Sequence, residues 1–161
     1  MNVLVLADTH VPGHVRALPT SLDRHLEAAD VILHAGDLTA PELLDQLAAH
    51  APVHAVAGNM DGADVRERGI GERLELELEG VPVAMVHDAG ARPGREQRLR
   101  RWFPGANVVV FGHSHEPVCD WHDGMLLLNP GSPTWKRRAP VPTVAKLAIT
   151  GDHLHAELIP V

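Results

Sequence analysis

Three short apolar runs at the start of the chain are separated by two stretches with helical periodicity. The runs cover residues 2–7, 31–35 and 53–57, and they lack the polar-apolar alternation of a strand with one solvent-facing side. The helical stretches cover residues 22–29 and 41–50, and the proline that begins the second suits a first helical turn. This order predicts an α/β fold with a parallel sheet and right-handed crossovers.

The second half of the chain changes character and predicts mostly strands. Residues 74–79 alternate strictly between apolar and acidic side chains, and Gly80 turns the chain into a second strand over residues 81–86. A helix is expected over residues 95–103 and a buried strand over 107–111. Four further strands, expected to be antiparallel, cover residues 118–121, 125–128, 144–149 and 154–159, with turns at Asp123-Gly124 and Gly151-Asp152. We therefore expect residues 1–161 to form one domain in which two packed mixed β-sheets are flanked by helices.

Composition restricts the class of protein further. The 161 residues include 21 acidic and 14 basic side chains, a formal net charge of −7, which argues against binding long nucleic acid through a basic surface. The acidic composition is still compatible with a small anionic substrate, because bound divalent cations reverse the local electrostatic field. The single cysteine, Cys119, cannot form an internal disulfide, and no apolar run is long enough for a membrane span. Since the chain also opens directly into a strand pattern, we expect a cytoplasmic protein with no membrane association.

Side chains that can bind metal ions follow five of the predicted strands. In sheets of this type, ligands bind outside the carboxyl ends of the strands, so these side chains should meet at a common edge. The donors are Asp8, His10, Asp37, Asn59, His87, His113 and His115. Carboxylate, imidazole and carboxamide donors without thiolate favour ions such as manganese, iron or zinc. Seven donors exceed what one tetrahedral ion needs, whereas two ions that share a bridging carboxylate would use them all.

Each of these residues also has an ordinary structural explanation. Asp8 or Asp37 could cap a helix after a strand-helix loop. Asn59 and Asp61 could belong to a turn. Turn chemistry does not require four histidines at matching strand ends, so the set taken together favours the metal site.

The remaining histidines and the basic run near the end of the chain have other expected roles. His34 and His54 lie inside apolar strands and are expected to be buried and hydrogen-bonded. The others are expected at the surface, although the loop that contains His14 could overhang the site. The basic run at residues 136–138 could collect a phosphate, but exposed charge runs are more often solvated loops.

Five short motifs resemble, in order, those of the calcineurin-like metallophosphoesterase family. They are Asp8-Thr9-His10, Gly36-Asp37, Gly58-Asn59, His87 and Gly112-His113-Ser114-His115. The segment Asn129-Pro130-Gly131-Ser132 resembles one that is typical of the small bacterial phosphodiesterase subgroup. The resemblance implies a four-layer α/β/β/α fold and a hydrolase that acts on phosphoric ester bonds.

The resemblance also implies a role for each donor. Two divalent ions would be held, the first by Asp8, His10 and His115, the second by Asn59, His87 and His113, with Asp37 bridging them. Asp37, Asn59 and His113 are implied as catalytic residues. Manganese is the expected metal, with iron, zinc, nickel and magnesium as alternatives. The ion pair would activate a hydroxide for in-line attack on the phosphorus of a small phosphate ester, most often a diester.

Two departures from the family pattern change the expected reaction. Met60 occupies the position of a histidine that binds substrate and serves the leaving group in many family members, and a thioether cannot donate a proton. We therefore expect a preference for diesters or other good leaving groups, since proton donation contributes about 10²–10⁴-fold. Asp61 occupies the position of the acidic residue that, in the family, orients this histidine. Asp88 stands where the family usually has glycine, and it would either support a ligand histidine or face solvent.

A different class of function stays open. The retromer subunit related to this family keeps the fold and much of the metal set but acts mainly as a scaffold, and Met60 is compatible with a similar metal-binding scaffold or interaction module. A single-zinc deaminase is disfavoured, because the chain has one cysteine and so lacks the paired-cysteine signature of that class. A homo-oligomer formed through an exposed strand edge also stays open.

Overall fold

Alternate residues of the first strand face two different layers of the molecule. The computed structural model describes residues 1–151 and 153–161. Val3 and Val5 belong to the apolar cluster between two β-sheets, whereas Leu4 and Leu6 belong to the cluster between the first sheet and its helices. A strand that is covered on both faces in this way needs the unbroken apolar sequence that residues 3–7 provide.

The first sheet combines three parallel strands with two antiparallel ones. Its strands are β1 (Asn2–Leu6), β2 (Val31–His34), β3 (Val53–Ala55), β9 (Thr143–Thr150) and β10 (His153–Pro160). Their order across the sheet is β10-β9-β1-β2-β3. β1, β2 and β3 are parallel, and β9 pairs antiparallel with both β1 and β10. The three parallel strands therefore end at the same edge.

The second sheet is also mixed, and one of its strands differs from the prediction. Its strands are β4 (Arg73–Leu78), β5 (Val81–Val86), β6 (Val108–Val110), β7 (Val118–His122) and β8 (Met125–Asn129), in the order β4-β5-β6-β8-β7. β8 was expected to be antiparallel, but it runs parallel to β6 and antiparallel only to β7. All five residues of β8 are buried, because Leu126 and Leu128 face the other sheet while Met125 and Leu127 face a helix. Burial on both faces is typical of a parallel strand.

Helices cover the outer face of each sheet. A 3-10 turn at Thr20–Leu22 leads into α1 (Asp23–Glu27), and α2 (Pro41–Ala48) and α3 (Ala63–Arg66) pack with it on the first sheet. The helix α4 (Arg95–Trp102) packs on the second sheet. Two mixed sheets between two helical layers confirm the predicted α/β/β/α fold. Among the described residues, no helix is long and apolar enough to cross a membrane.

Local predictions were less accurate at the edges of the sheets. His34 on the central strand β2 is fully buried, as predicted. The predicted burial of His54 is wrong, since β3 is an edge strand and His54 is only half-buried. Cys119, on the edge strand β7, is half-buried too. The predicted turn at Gly151-Asp152 lies partly outside the described residues.

Candidate metal centre

Seven polar side chains form an unbroken row of contacts where β1, β2 and β3 of the first sheet and β5 and β6 of the second end. The longest step between nitrogen or oxygen atoms of neighbours in the row is 3.7 Å. In order, the row is Asp8, His115, His10, Asp37, His87, Asn59 and His113. The structure thus brings together all seven donors predicted from the sequence, with Asn59 and His113 at the more exposed end.

The first part of the row contains Asp8, His10 and His115. The Nε2 atom of His115 lies 3.3 Å from Asp8 Oδ1 and 3.3 Å from the Nε2 atom of His10. All three side chains are buried. One donor atom from each lies within 4.8 Å of the others, which is compatible with binding one ion.

The second part of the row is centred on His87. Its Nε2 atom lies 3.5 Å from Asp37 Oδ2 and 3.0 Å from Asn59 Oδ1. Asn59 Oδ1 is in turn 2.9 Å from His113 Nδ1. Asp37 and His87 also form a group with Asp8 whose donor atoms lie within 4.8 Å of one another. Asp8 therefore belongs to both parts of the site, where the sequence analysis placed only Asp37 between two ions.

The environment of Asp8 fits a cation. Both of its side-chain oxygens are fully buried and accept no hydrogen bond from any described residue. A buried carboxylate without hydrogen-bond donors is strongly disfavoured unless a positive charge compensates it. Because the neighbouring groups are imidazoles and a second carboxylate, the donor set suits a divalent metal ion.

Two glycines leave room for the carboxylates. A Cβ atom on Gly58 would lie 2.1 Å from Asp37 Oδ1, and one on Gly112 would lie 2.8 Å from Asp8 Oδ2. Any larger residue would push these oxygens out of place. Close approach is therefore the reason for glycine at both positions.

Five of the seven donors have left-handed backbone conformations. Their φ angles are 53° for Asp8, 47° for His10, 58° for Asp37, 68° for His113 and 60° for His115. Such a conformation costs a non-glycine residue on the order of 1–3 kcal/mol and persists only where the surroundings impose it. Hydrogen bonds between the loops do so here, since Asp8 N donates to Gly36 O and His10 N donates to Asp37 O.

Backbone carbonyls orient two of the histidines. His87 Nδ1 donates to Ala35 O at 2.7 Å, and His115 Nδ1 donates to Trp135 O. In both rings the Nε2 atom then faces the carboxylates. In the neutral form of each ring the hydrogen is on Nδ1, so the lone pair of Nε2 is available to a metal ion.

Asp61 joins two of the donor loops, a role that the sequence analysis did not predict. Its carboxylate accepts hydrogen bonds from the backbone N–H groups of Asp37 at 2.9 Å, Thr39 at 2.8 Å and Gly58 at 2.8 Å. Its oxygens are therefore occupied by the backbone and do not orient the side chain of Met60, which is 57% exposed. The N–H of Met60 donates to Asp37 Oδ1. The only indication of this role in the sequence was that Asp61 follows Asn59 by two residues in a predicted turn.

His34 supports the loops from within the first sheet. Gly36 N donates to His34 Nδ1, so the ring hydrogen is on Nε2 and points to Thr9 Oγ1, 3.0 Å away. Thr9 Oγ1 donates in turn to Asp37 O. Burial, and secondarily the charge of His87, lower the pKa of His34 to about 3, which keeps the ring neutral.

Burial and mutual charge set the ionisation of the donors. Burial alone would raise the pKa of Asp37, but the hydrogen bond and charge of His87 bring it below its ordinary value. Burial alone would lower the pKa of His87, and Asp37 raises it above the ordinary value. Burial lowers the pKa of His10 in spite of the nearby carboxylates. Asp37 is thus ionised and His10 neutral, the forms that metal binding requires.

An aromatic side chain that the sequence analysis did not single out, Trp135, covers one side of the site. It packs edge-on against the two histidines of the first part of the row, with ring centroids 5.6 and 5.3 Å away. His14 stacks on it at 4.7 Å, so the loop after the first motif does overhang the site. Arg137, from the basic run, lies over the same ring and donates to His113 O.

The segment Asn129 to Ser132 connects two of the donor loops. The hydroxyl of Ser132 donates to Asp8 O at 2.8 Å. The side-chain amide of Asn129 donates to Gly112 O at 3.0 Å. This segment therefore fixes the loop after β1 relative to the loop after β6.

A cavity of about 290 Å³ opens beside the second part of the row. Arg66, Arg73 and Trp102 contribute to its wall. Asp88, also on the wall, faces solvent and accepts a hydrogen bond from Gly90 N at 2.7 Å, so of its two expected roles the structure shows the exposed one. The arginines gave no signal in the sequence, because a strand and a short helix bring them together only in the folded chain.

Comparison with known proteins agrees with this geometry. Residues 1–152 match the calcineurin-like phosphoesterase superfamily domain. A protein of Methanothermobacter thermautotrophicus named probable metallophosphoesterase is 40% identical over 164 positions, which cover 99% of this chain and 92% of that protein. The match extends over the whole row of donors.

Solved structures share the fold at lower identity. Vacuolar protein sorting 29 from Cryptosporidium parvum superposes with a TM-score of 0.81 at 19% identity, covering 99% of this chain and 98% of that one. A structure described as a novel archaeal phosphodiesterase has a TM-score of 0.74 at 21% identity, covering 99% and 100%. These structural similarities show a shared fold, whereas the sequence matches show shared ancestry. The chain is a member of the calcineurin-like phosphoesterase superfamily.

Proposed function

We propose that the chain is a metal-dependent phosphodiesterase that hydrolyses small phosphate esters with good leaving groups. The observation that carries this proposal is the unbroken row of seven donors, in which the buried oxygens of Asp8 accept no hydrogen bond from the described residues. Membership of a phosphoesterase superfamily supports it. The archaeal phosphodiesterase of similar fold supports the diester preference.

The donors divide naturally between two divalent ions. Asp8, His10 and His115 would hold one, Asn59, His87 and His113 the other, and Asp37 would lie between them together with Asp8. When bound, divalent ions lower the pKa of water and stabilise the charge that develops on a phosphate. Manganese is our first choice of metal, since the set mixes hard oxygen donors with imidazoles.

The residues of the chain itself orient donors and phosphate. Ala35 O and Trp135 O fix the rings of two histidines through Nδ1. Asn59 and His113 are the least buried donors and border the cavity, where their N–H groups can donate to phosphate oxygens. Because Met60 has no proton to give, the leaving group must depart as an anion, which favours phenols and other acidic alcohols.

Hydrolysis of bis-4-nitrophenyl phosphate by manganese-loaded protein tests the proposal. We expect turnover that falls by at least about 10²-fold in Asp37→Asn and that is lost when the metal is removed. Asp120→Asn, which changes an exposed carboxylate on β7, is the matched control and should keep full activity. Equal turnover by wild type and Asp37→Asn would show the proposal to be wrong.

A metal-binding scaffold is the second candidate function. It is favoured by the exposure of Met60 at the position where many family members have a histidine that serves the leaving group. Stoichiometric metal binding without turnover of any diester would support this candidate, because the seven donors would then bind metal without catalysing hydrolysis.

A further inference from the structure

The cavity beside the second part of the donor row has a wall with an arginine whose charge is not compensated. Arg73, the first residue of β4, lies with its guanidinium carbon 4.4 Å from the ring centroid of Trp102. Within residues 1–151 and 153–161, no carboxylate forms an ion pair with Arg73. The aromatic ring supports one face of the guanidinium and leaves its N–H groups free for another acceptor.

The other cation of this wall, Arg66, already has partners. Arg66 donates to Gly58 O at 3.3 Å and lies 3.6 Å from Glu72. Asp88 accepts the Gly90 N–H. Arg73 is therefore the group with a positive charge to offer, and it faces the same cavity as the donors Asn59, His87 and His113.

We propose that this cavity binds the substituent of the phosphate ester that stays on the phosphorus, and that Arg73 selects a substituent with its own anionic group, a carboxylate or a second phosphate. The proposal rests on the proposed function, since the phosphate at the donor row places that substituent in the cavity. The volume of about 290 Å³ suits a group the size of a substituted phenyl ring. A guanidinium on an aromatic ring binds such anions with fixed geometry.

A matched pair of substrates tests the selection. The esters 4-nitrophenyl phenyl phosphate and 4-nitrophenyl 4-carboxyphenyl phosphate release the same 4-nitrophenolate and differ by one carboxylate. For manganese-loaded wild type, kcat/KM should be about tenfold higher for the carboxylated ester, mostly through KM. The preference should shrink as ionic strength rises, because Arg73 is at the surface.

Variants assign the preference to one side chain. Arg73→Ala should bring the ratio of the two kcat/KM values to about one, because it lowers the value for the carboxylated ester more than that for the uncharged ester. Arg73→Lys should keep part of the preference, since the charge remains but the planar fork is lost. Arg101→Ala, on the exposed part of α4 next to Trp102, is the control and should keep the full ratio. A preference that survives in Arg73→Ala would overturn the proposal.

A binding measurement separates this proposal from the proposed function. Calorimetry compares two phosphonates that cannot be hydrolysed, 4-carboxybenzylphosphonate and benzylphosphonate. Wild type should bind the first more tightly than the second, whereas Arg73→Ala should bind both equally. If both esters are hydrolysed with equal kcat/KM and both phosphonates bind with equal affinity, the assignment of the cavity is wrong and the phosphodiesterase proposal is unaffected. No turnover of either ester, with Arg73-dependent phosphonate binding retained, would overturn the phosphodiesterase and support the cavity.

Discussion

Asp8 Oδ1 and His115 Nε2 lie 3.3 Å apart although Asp8 follows a strand of the first sheet and His115 a strand of the second. This contact joins the two halves of the site. The carboxylate is buried and accepts no hydrogen bond among the described residues. Its presence is therefore unfavourable in the metal-free protein and favourable when a cation is bound.

Asp8→Asn should thus have opposite effects in the two states. Without metal, the variant is expected to be as stable as wild type or about 1 kcal/mol more stable, because a buried charge is removed. With manganese at 100 times the dissociation constant, wild type should gain about 2.7 kcal/mol and the variant much less. Thermal unfolding with manganese and with EDTA measures both. Equal gains from manganese would rule out Asp8 as a ligand.

Gly58→Ala should damage the site through a single methyl group. The added Cβ would lie 2.1 Å from Asp37 Oδ1 and 2.5 Å from Asp37 N, so the loop must move. We expect a loss of about 1–3 kcal/mol in the free energy of unfolding, together with weaker metal binding. Gly105→Ala, where an added Cβ meets nothing within 4 Å, is the control. Unchanged metal affinity in Gly58→Ala would argue against a role for Asp37 in binding.

The stability of the protein should depend on pH through His34. Its pKa in the folded state is about 3, below the ordinary value of 6.5, so the unfolded chain takes up a proton first as the pH falls. The stability that the neutral ring provides is fully present above pH 6.5 and decreases by about 1.4 kcal/mol per pH unit below it, until the folded pKa is reached. His34→Gln should remove this slope in chemical denaturation between pH 6.5 and 4.5. The exposed His50→Gln is its control, and an equal slope in wild type and His34→Gln would contradict the prediction.

Met60→His should widen the range of leaving groups. The residue is exposed and its N–H donates to Asp37 Oδ1, so an imidazole at this position would stand beside the donor row. Proton donation by it is expected to raise kcat for phenyl and alkyl esters by up to about 10²-fold and to change 4-nitrophenyl esters little. The ratio of the two kcat values measures this effect, and Met60→Gln is the control. A proportional rise for all esters would indicate a change in binding instead.

Much of the fold could be predicted, because its parallel strands are buried on both faces and their sequences show it. The unbroken apolar run at residues 3–7 corresponds to β1 in the centre of one sheet, and the strict alternation at residues 74–79 corresponds to β4 at the edge of the other. The pairing of β8 could not be predicted, since a short apolar run is compatible with either direction. The partial exposure of His54 was missed because an apolar sequence does not tell a central strand from an edge strand.

The clustering of the seven candidate donors could be predicted as well, since strand ends in such sheets meet at one edge. What the sequence did not indicate were contacts made between distant loops. Asp61 binds three backbone N–H groups, and Trp135 packs over two histidines. Arg73 meets Trp102 only because β4 and α4 adjoin. Apart from the contact of Asp61 with Gly58, three residues away, none of these contacts leaves a periodic or short-range pattern.

The left-handed conformations of five donors have a consequence for how the site tolerates change. Glycine adopts positive φ without cost, so His113→Gly would remove an imidazole and relieve the backbone, whereas His113→Ala would keep the strain. The path of the backbone sets the direction of each donor side chain. We therefore expect the space left by the imidazole in His113→Gly to keep its shape, so that free imidazole from solution binds there.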